Sequence, residues 1–223
     1  MSGFDLLPLL YLIPILLISL TIHEVAHGFI AYRLGDPTAK SMGRLSFNPL
    51  RHLDSYGLLM FLITYLAFHA PFFWAKPVPI SPYYFRNRQR GMALVGAAGP
   101  ASNFLIAVIF AVILRFAGVP LLNSSSSTLH VLNEIIFWFV YLNIVLGVFN
   151  LIPIPPLDGS RVLGGFLPRR AYEFWASIDR YGFFIIIILF FALRGGAGNY
   201  LFRVVQAVWH LIFAGSPYIN YLD

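Results

Sequence analysis

Long apolar runs are the feature that most restricts how this chain can fold. Six of them occupy residues 6–33, 57–74, 91–118, 131–154, 181–193 and 199–214. Several approach or exceed the roughly 20 residues with which a helix crosses a bilayer. Only 11% of the residues are charged, whereas soluble domains carry about 25% charged residues. The solvent for most of this chain is therefore lipid.

These runs predict an all-α polytopic membrane protein. The sequence has no strands of alternating polar and apolar residues, which are typical of outer-membrane barrels. We expect one integral-membrane domain over residues 1–223, with a core at 6–165 and additional C-terminal helices at 166–214. The predicted architecture is a bundle of about five or six transmembrane helices, with a re-entrant segment and short membrane-associated extended segments.

The basic residues predict the topology. The net charge of +6 arises largely from clusters in the links at 33–55, 75–90 and 155–180. Short links rich in lysine and arginine are typical of the cytoplasmic side, so these clusters argue against a nucleic-acid partner. The run at 57–74 is nearly long enough to span the membrane. The three basic clusters lie on one face only if the run at 57–74 enters the membrane and returns on the same side. The N-terminus and the serine-rich link after residue 118 then lie outside.

Two histidines and a glutamate interrupt the first apolar run, in the stretch HEVAH at 23–27. Residues four apart lie on one helix face, so His23 and His27 can bind one zinc ion. Glu24 can then act as general base on a bound water. An unpaired carboxylate at the centre of a membrane helix costs roughly 2.5–3.5 kcal/mol. A metal ion facing the bundle interior would offset that cost.

A third ligand is needed, because catalytic zinc usually has three protein ligands and a water. The chain has no cysteine, so this ligand must be histidine, aspartate or glutamate. In NLIPIPPLDG at 150–159 the prolines cannot continue a helix. An unwound stretch of this kind can turn a carboxylate inward, and Asp158 is the candidate. Asp-Gly alone is an ordinary turn sequence, so the assignment depends on its pairing with HEVAH.

The sequence resembles the site-2 protease family of intramembrane zinc metalloproteases. The resemblance is carried by HEVAH at 23–27, GPASN at 99–103 and NLIPIPPLDG at 150–159, and it covers about residues 6–165. It implies one zinc ion bound by His23, His27 and Asp158, with Glu24 as the catalytic residue. It also implies single-span membrane proteins as substrates, a multi-pass location in the cell membrane and an active site nearer the cytosolic face.

The same resemblance marks Asn103 and Asn150, which we expect to bind the substrate backbone or to stabilise the oxyanion. The alternative is that each bridges or caps helices through hydrogen bonds. The links are too short to hold an inserted PDZ domain. The extended segments around 37–50 and 75–82 are candidates for pairing with an unwound substrate strand.

Together these patterns predict a zinc-dependent endopeptidase that cleaves transmembrane segments within the lipid bilayer. A metal-binding transporter, or an inactive relative that binds membrane segments, would carry acidic or histidine residues on several helices. Here the other apolar runs contain few charged or histidine residues beyond Glu134 and Arg203. A membrane zinc peptidase that acts on soluble peptides would differ only in substrate access.

Overall fold

The computed structural model describes residues 7–68, 75–118 and 126–222, and these residues form helices without any β-strand. The helices are α1 (Leu7–Arg33), α2 (Thr38–Ser41), α3 (Ser55–Phe68), α4 (Arg88–Ile113), α5 (Ser127–Asn150), α6 (Asp158–Gly164), α7 (Arg169–Ser177), α8 (Gly182–Arg194) and α9 (Ala197–Ile212). Single 3-10 turns occur at Pro49–His52, Pro82–Tyr84 and Ile178–Tyr181, and α4 continues into the π-helical turn Leu114–Gly118. The expectation of an all-α fold is confirmed.

Four stretches of the described chain are long and apolar enough to cross a membrane: Leu10–Arg33, Arg88–Phe116, Thr128–Asn150 and Arg169–Arg194. The expectation of a multi-pass helical membrane protein is confirmed. The number of such stretches is smaller than the five or six predicted. The runs at 57–74 and 199–214 contribute helices of only 14 and 16 described residues, short of the roughly 20 that a span needs.

Helix α4 lies at the centre of the bundle, where it packs against α1, α5 and α6. Its buried positions include Gly96, Gly99 and Ala107, and small residues of this kind let helices approach closely in a membrane. Its second half joins α5, α9 and the chain after α9 in the main apolar cluster. The buried members of that cluster are Ala107, Ala111, Leu114, Ile136, Val140, Ile144, Val148, Val205, Trp209, Phe213 and Tyr218.

The residues just before the apolar run at 57–74 contact the residues just after it. The Lys76 N–H donates a hydrogen bond of 2.8 Å to the His52 carbonyl oxygen. A segment that crossed the bilayer once would leave these residues on opposite faces. The bond therefore agrees with the re-entrant interpretation, in which α3 enters the membrane and the chain returns. The end of this run (69–74), the start of the chain (1–6) and most of the serine-rich link lie outside the described residues.

Residues 75–81 belong to no helix or strand, and side chains of the end of α1 and the link after it hold them in place. Asp36 is fully buried and accepts the Ser81 N–H at 2.6 Å and the Thr38 N–H at 2.9 Å. The Arg44 guanidinium donates to the Lys76 carbonyl oxygen at 2.7 Å. The segment is thus fixed by side chains rather than by a neighbouring strand. The other segment predicted to be extended, around 37–50, instead contains helix α2 and the first residues of the 3-10 turn Pro49–His52.

The topology can be tested by labelling single cysteines, since the chain has no cysteine of its own. In membrane vesicles of known orientation, Leu50→Cys and Lys76→Cys should react with a membrane-impermeant maleimide from the same side, because both residues are exposed beside the meeting point of the re-entrant segment. Ser126→Cys, just before α5, should react only from the other side. Labelling of the first two variants from opposite sides would contradict the re-entrant arrangement.

Candidate metal centre

Helix α1 presents His23 and His27 on one face, toward the bundle interior. The two residues are 4% and 3% exposed, and their Nε2 atoms lie 3.0 Å apart. The helix runs unbroken through this stretch, which keeps residues four apart on the same face. The imidazole pair predicted from HEVAH is therefore present.

Asp158, the first residue of α6, completes a group of three donor atoms. Its Oδ2 atom lies 3.0 Å from His23 Nε2 and 3.1 Å from His27 Nε2, and the residue is 5% exposed. In the part of the chain that the structure describes, this is the one group of three histidine or acidic side chains whose donor atoms lie within 4.8 Å of one another.

A tight turn between α5 and α6 brings Asp158 to this position. Helix α5 ends at Asn150, and the prolines that follow prevent its continuation. Gly159 then packs against the carbonyl oxygens of Leu151 and Ile152 so closely that any Cβ atom would overlap them. The chain can fold back on the end of α5 only because position 159 has no side chain.

An oxygen atom holds the second nitrogen of each imidazole. His23 Nδ1 lies 2.6 Å from Asn103 Oδ1, and His27 Nδ1 lies 2.6 Å from the Val95 carbonyl oxygen. Carbonyl oxygens only accept hydrogen bonds, so each Nδ1 donates its hydrogen and each Nε2 keeps a lone pair. Contacts of this kind fix the tautomer and the orientation of zinc-binding histidines.

Two imidazole lone pairs and one carboxylate oxygen are thus directed at a common position. When both imidazoles are neutral, none of the three atoms has a hydrogen to share, and at separations of 3.0–3.1 Å they repel one another. A cation between them would remove this repulsion. The separations are slightly shorter than the about 3.3 Å expected when such ligands surround a tetrahedral zinc ion. The donor set fits one zinc ion, with a fourth position left for water.

Arg161 holds the other oxygen of the third ligand. Its Nη1 atom donates to Asp158 Oδ1 at 3.1 Å, one turn along α6. The stem of Arg161 lies over Gly96 of α4, where an added Cβ would come within 2.8 Å of the arginine Cβ. The guanidinium therefore directs the carboxylate so that Oδ2 alone faces the histidines.

Gly99 forms the floor of the site. A Cβ atom at this position would collide with the Nε2 atoms of both His23 and His27. Gly96 and Gly99 lie three residues apart on the same helix face. Helix α6 packs closely on α4 at Gly96, and the imidazole pair packs closely on it at Gly99. The two glycines in the sequence LVGAAGP at 94–100 have a packing role.

Glu24 points toward the segment 75–81. Its Oε2 atom accepts the Val78 N–H at 2.7 Å, and its Oε1 atom has no partner among the described residues. The Val78 side chain packs on Gly28, one turn beyond Glu24, where an added Cβ would come within 2.9 Å of it. The glutamate therefore has one oxygen fixed by the backbone and one oxygen free.

The two asparagines differ from each other in their surroundings. Asn103 is fully buried and uses both ends of its amide inside the protein, toward His23 and toward Asn143. The substrate-binding role predicted for it is not supported by this geometry, and the helix-bridging alternative describes it better. Asn150 is half-buried and donates to the Leu146 carbonyl oxygen at 3.0 Å. Its Oδ1 atom accepts nothing from the described residues and remains available to a substrate.

Sequence reasoning missed three groups at this site. Arg161 was counted only as a charge that sets the topology, although its position three residues after Asp158 could have identified it. Asn143 is one of three asparagines in the apolar run at 131–154, and in lipid such a residue indicates a buried partner. The Val78 N–H leaves no trace in the sequence, since every residue except proline carries this group.

The comparisons with known proteins agree with this geometry. A sequence model of peptidase family M50 matches residues 117–193, which include Asn150 and Asp158 but not HEVAH. The chain is 36% identical over 212 residues to "Putative zinc metalloprotease YwhC" of Bacillus subtilis, which covers 94% of this chain and 89% of that protein. It is 28% identical over 209 residues to "Putative zinc metalloprotease Rip2" of Mycolicibacterium smegmatis, which covers 91% of this chain and 74% of that protein. No solved structure matches the chain.

The similarity to the Bacillus subtilis protein extends over nearly the whole of both chains, and the apolar helices place the protein in a membrane. The chain therefore belongs to peptidase family M50, the site-2 protease family, and is a multi-pass membrane zinc metalloprotease.

Proposed function

We propose that this metalloprotease hydrolyses peptide bonds within the transmembrane segments of single-span membrane proteins, with one zinc ion bound by His23, His27 and Asp158. The observation that carries the proposal is the convergence of two imidazole lone pairs and one carboxylate oxygen at a buried position. His23 lies ten residues before Arg33, the basic end of α1, or roughly 15 Å from that face at the rise of a helix. The scissile bond must therefore enter the membrane.

Zinc, when bound, would supply a Lewis acid for the scissile carbonyl and would lower the pKa of a water molecule. Glu24 takes a proton from the attacking water at its free Oε1 atom, while the Val78 N–H holds Oε2 in place. The same carboxyl group then delivers the proton to the nitrogen of the leaving amine. Arg161 keeps Asp158 oriented throughout, because it occupies Oδ1.

A substrate strand would be held on two sides. Asn150 offers its free Oδ1 atom to a backbone N–H of the substrate, while its own NH2 group stays on α5. Segment 75–81 offers mainly carbonyl oxygens for pairing with a strand, because Pro77 and Pro79 have no N–H and the N–H groups of Val78 and Ser81 are already bound. Because Glu24 and Asp36 anchor this segment, an unwound substrate paired with it would lie beside the metal ligands.

An apolar groove provides a route from the lipid. It has a volume of about 530 Å³ and is lined by residues of α4, α5, α8 and α9, among them Phe104, Leu189 and Val204. It also reaches Leu151 and Ile152, the residues on which Gly159 packs. A transmembrane helix of a substrate would enter along this groove and lose its helical structure near Asp158.

The orientation in the membrane follows from charge. The basic clusters predict a cytosolic face at the end of α1, which puts the metal centre nearer the cytosol and the N-terminus outside. We further propose that residues 1–223 act as one protease domain. Helices α8 and α9, beyond the core at 6–165, would form the entry groove.

Replacement of the general base should separate zinc binding from catalysis. Glu24→Gln keeps an oxygen for the Val78 N–H but cannot take a proton, so we expect zinc content to be unchanged and cleavage to fall by about 10²–10⁴-fold. The measurement uses full-length protein in detergent and a reporter in which one transmembrane segment joins two soluble domains. Equal cleavage by the variant and the wild type would remove Glu24 from the mechanism.

Filling the floor of the site should weaken zinc binding. Gly99→Ala places a methyl group against both Nε2 atoms, and we expect the zinc affinity, measured by competition with a chromophoric chelator, to fall by about tenfold or more. Gly196→Ala is the matched control, because nothing lies within 4 Å of a Cβ added there. An unchanged affinity in Gly99→Ala would place the zinc ion elsewhere.

The entry route is tested by obstructing the groove. Val204→Trp places a large ring among the lining residues, and the obstruction should lower kcat/KM for the membrane reporter by about tenfold, or roughly 1.4 kcal/mol. Leu211→Trp is the control on the same helix, since Leu211 is 79% exposed and lies outside the groove. If Val204→Trp cleaves the reporter as fast as the control does, the substrate does not enter here.

A further inference from the structure

A row of buried polar side chains leads away from His23 through the interior of the bundle. Asn103 Nδ2 donates to Asn143 Oδ1 at 2.9 Å. Asn143 Nδ2 donates to Ser19 Oγ and to the Phe139 carbonyl oxygen, each at 2.8 Å. Asn103, Asn143 and Ser19 are all 0% exposed. Polar groups at this depth are unfavourable unless they are fully hydrogen bonded.

The direction of each amide in this row is determined by its neighbour. The Phe139 carbonyl oxygen, one turn before Asn143 on α5, has no hydrogen to donate. Asn143 must therefore turn its NH2 group toward Phe139 and its Oδ1 toward Asn103. Asn103 must then present its NH2 group to that oxygen, which leaves its own Oδ1 facing His23.

The opposite orientation of Asn103 would disable the first ligand. A reversed amide would donate to His23 Nδ1 and would move the imidazole hydrogen to Nε2. The Nε2 atom would then have no lone pair for a metal. A backbone carbonyl of α5 thus determines, through two amides, which nitrogen of His23 binds zinc.

We infer that Asn143 is a positioning residue for the metal centre, which acts through Asn103 to hold His23 in the tautomer that binds zinc. The inference rests on the proposed zinc site, and it assigns a role to a residue that contacts neither the ligand atoms nor the substrate. Asn143 lies two turns before Asn150 on α5, so the same helix orients a metal ligand and presents the residue proposed to bind substrate.

The test measures the zinc affinity of full-length protein in detergent by chelator competition. Asn143→Leu removes the oxygen that orients Asn103, and we expect the affinity to fall by about 10–100-fold. Asn133→Leu is the matched control, because Asn133 is also a buried asparagine of α5 but bonds to Tyr218, away from the site. It should bind zinc as wild type does.

A second substitution separates orientation from packing. Asn103→Asp has only oxygen atoms to offer His23 Nδ1, so it fixes the zinc-binding tautomer whatever residue stands at position 143. Introduced into Asn143→Leu, it should restore most of the lost affinity. A carboxylate behind a zinc-bound histidine is a common arrangement in metalloproteins.

The outcomes distinguish this inference from the proposed function. Wild-type affinity in Asn143→Leu, or a reduced affinity that Asn103→Asp does not restore, would overturn the role of Asn143 and leave the zinc site standing. Absence of zinc binding in the wild type and in Asn133→Leu would overturn the proposed function and the inference with it. Loss in Asn143→Leu with restoration by Asn103→Asp would support both.

Discussion

Three electron pairs directed at one point inside a membrane bundle are the arrangement on which the rest of this structure depends. In lipid every polar atom needs a partner, and the Nε2 atoms of His23 and His27 and the Oδ2 atom of Asp158 cannot supply one to each other. Their second atoms are already bonded to Asn103, Val95 and Arg161. The protein thus directs all three donors inward, and a divalent cation satisfies them together.

Helix α4 supplies none of these ligands, yet it determines where they meet. Its two glycines admit the imidazole pair and the first turn of α6, and its Asn103 and Val95 orient the histidines. A larger side chain at 96 would push α6 away from α4, and one at 99 would push the histidines of α1 away from it. In a membrane, where lipid is as apolar as any side chain, close contact between helix backbones is a main source of association. The same contacts that assemble this bundle therefore also build its site.

The general base belongs to a second unit, formed by the end of α1 and the segment 75–81. Glu24 precedes and Asp36 follows Arg33, the last residue of α1, and each accepts one backbone N–H of that segment. These two bonds hold segment 75–81 beside the metal ligands. Among the described residues, no neighbouring strand supports the segment. If a substrate pairs with this segment, the carboxylate that moves the proton and the edge that holds the peptide are connected by one hydrogen bond.

The sequence by itself determined the features that depend on local geometry and on composition. Apolar runs predicted the helices, and the spacing of His23 and His27 predicted their pairing. The return of the segment at 57–74 stays a prediction from the distribution of arginine and lysine. Asp158 lies 131 residues from His27, so spacing could not identify it; the proline-broken segment before it and the need for a third ligand made it a candidate, and the resemblance then implied the same residue. The surroundings of Asn103, the hold of Arg161 on Asp158 and the bond from Val78 to Glu24 were decided only by tertiary structure. Helix periodicity fixes which residues share a face, but which groups meet across helices depends on how closely the backbones approach, and here that is set by individual glycines on α4.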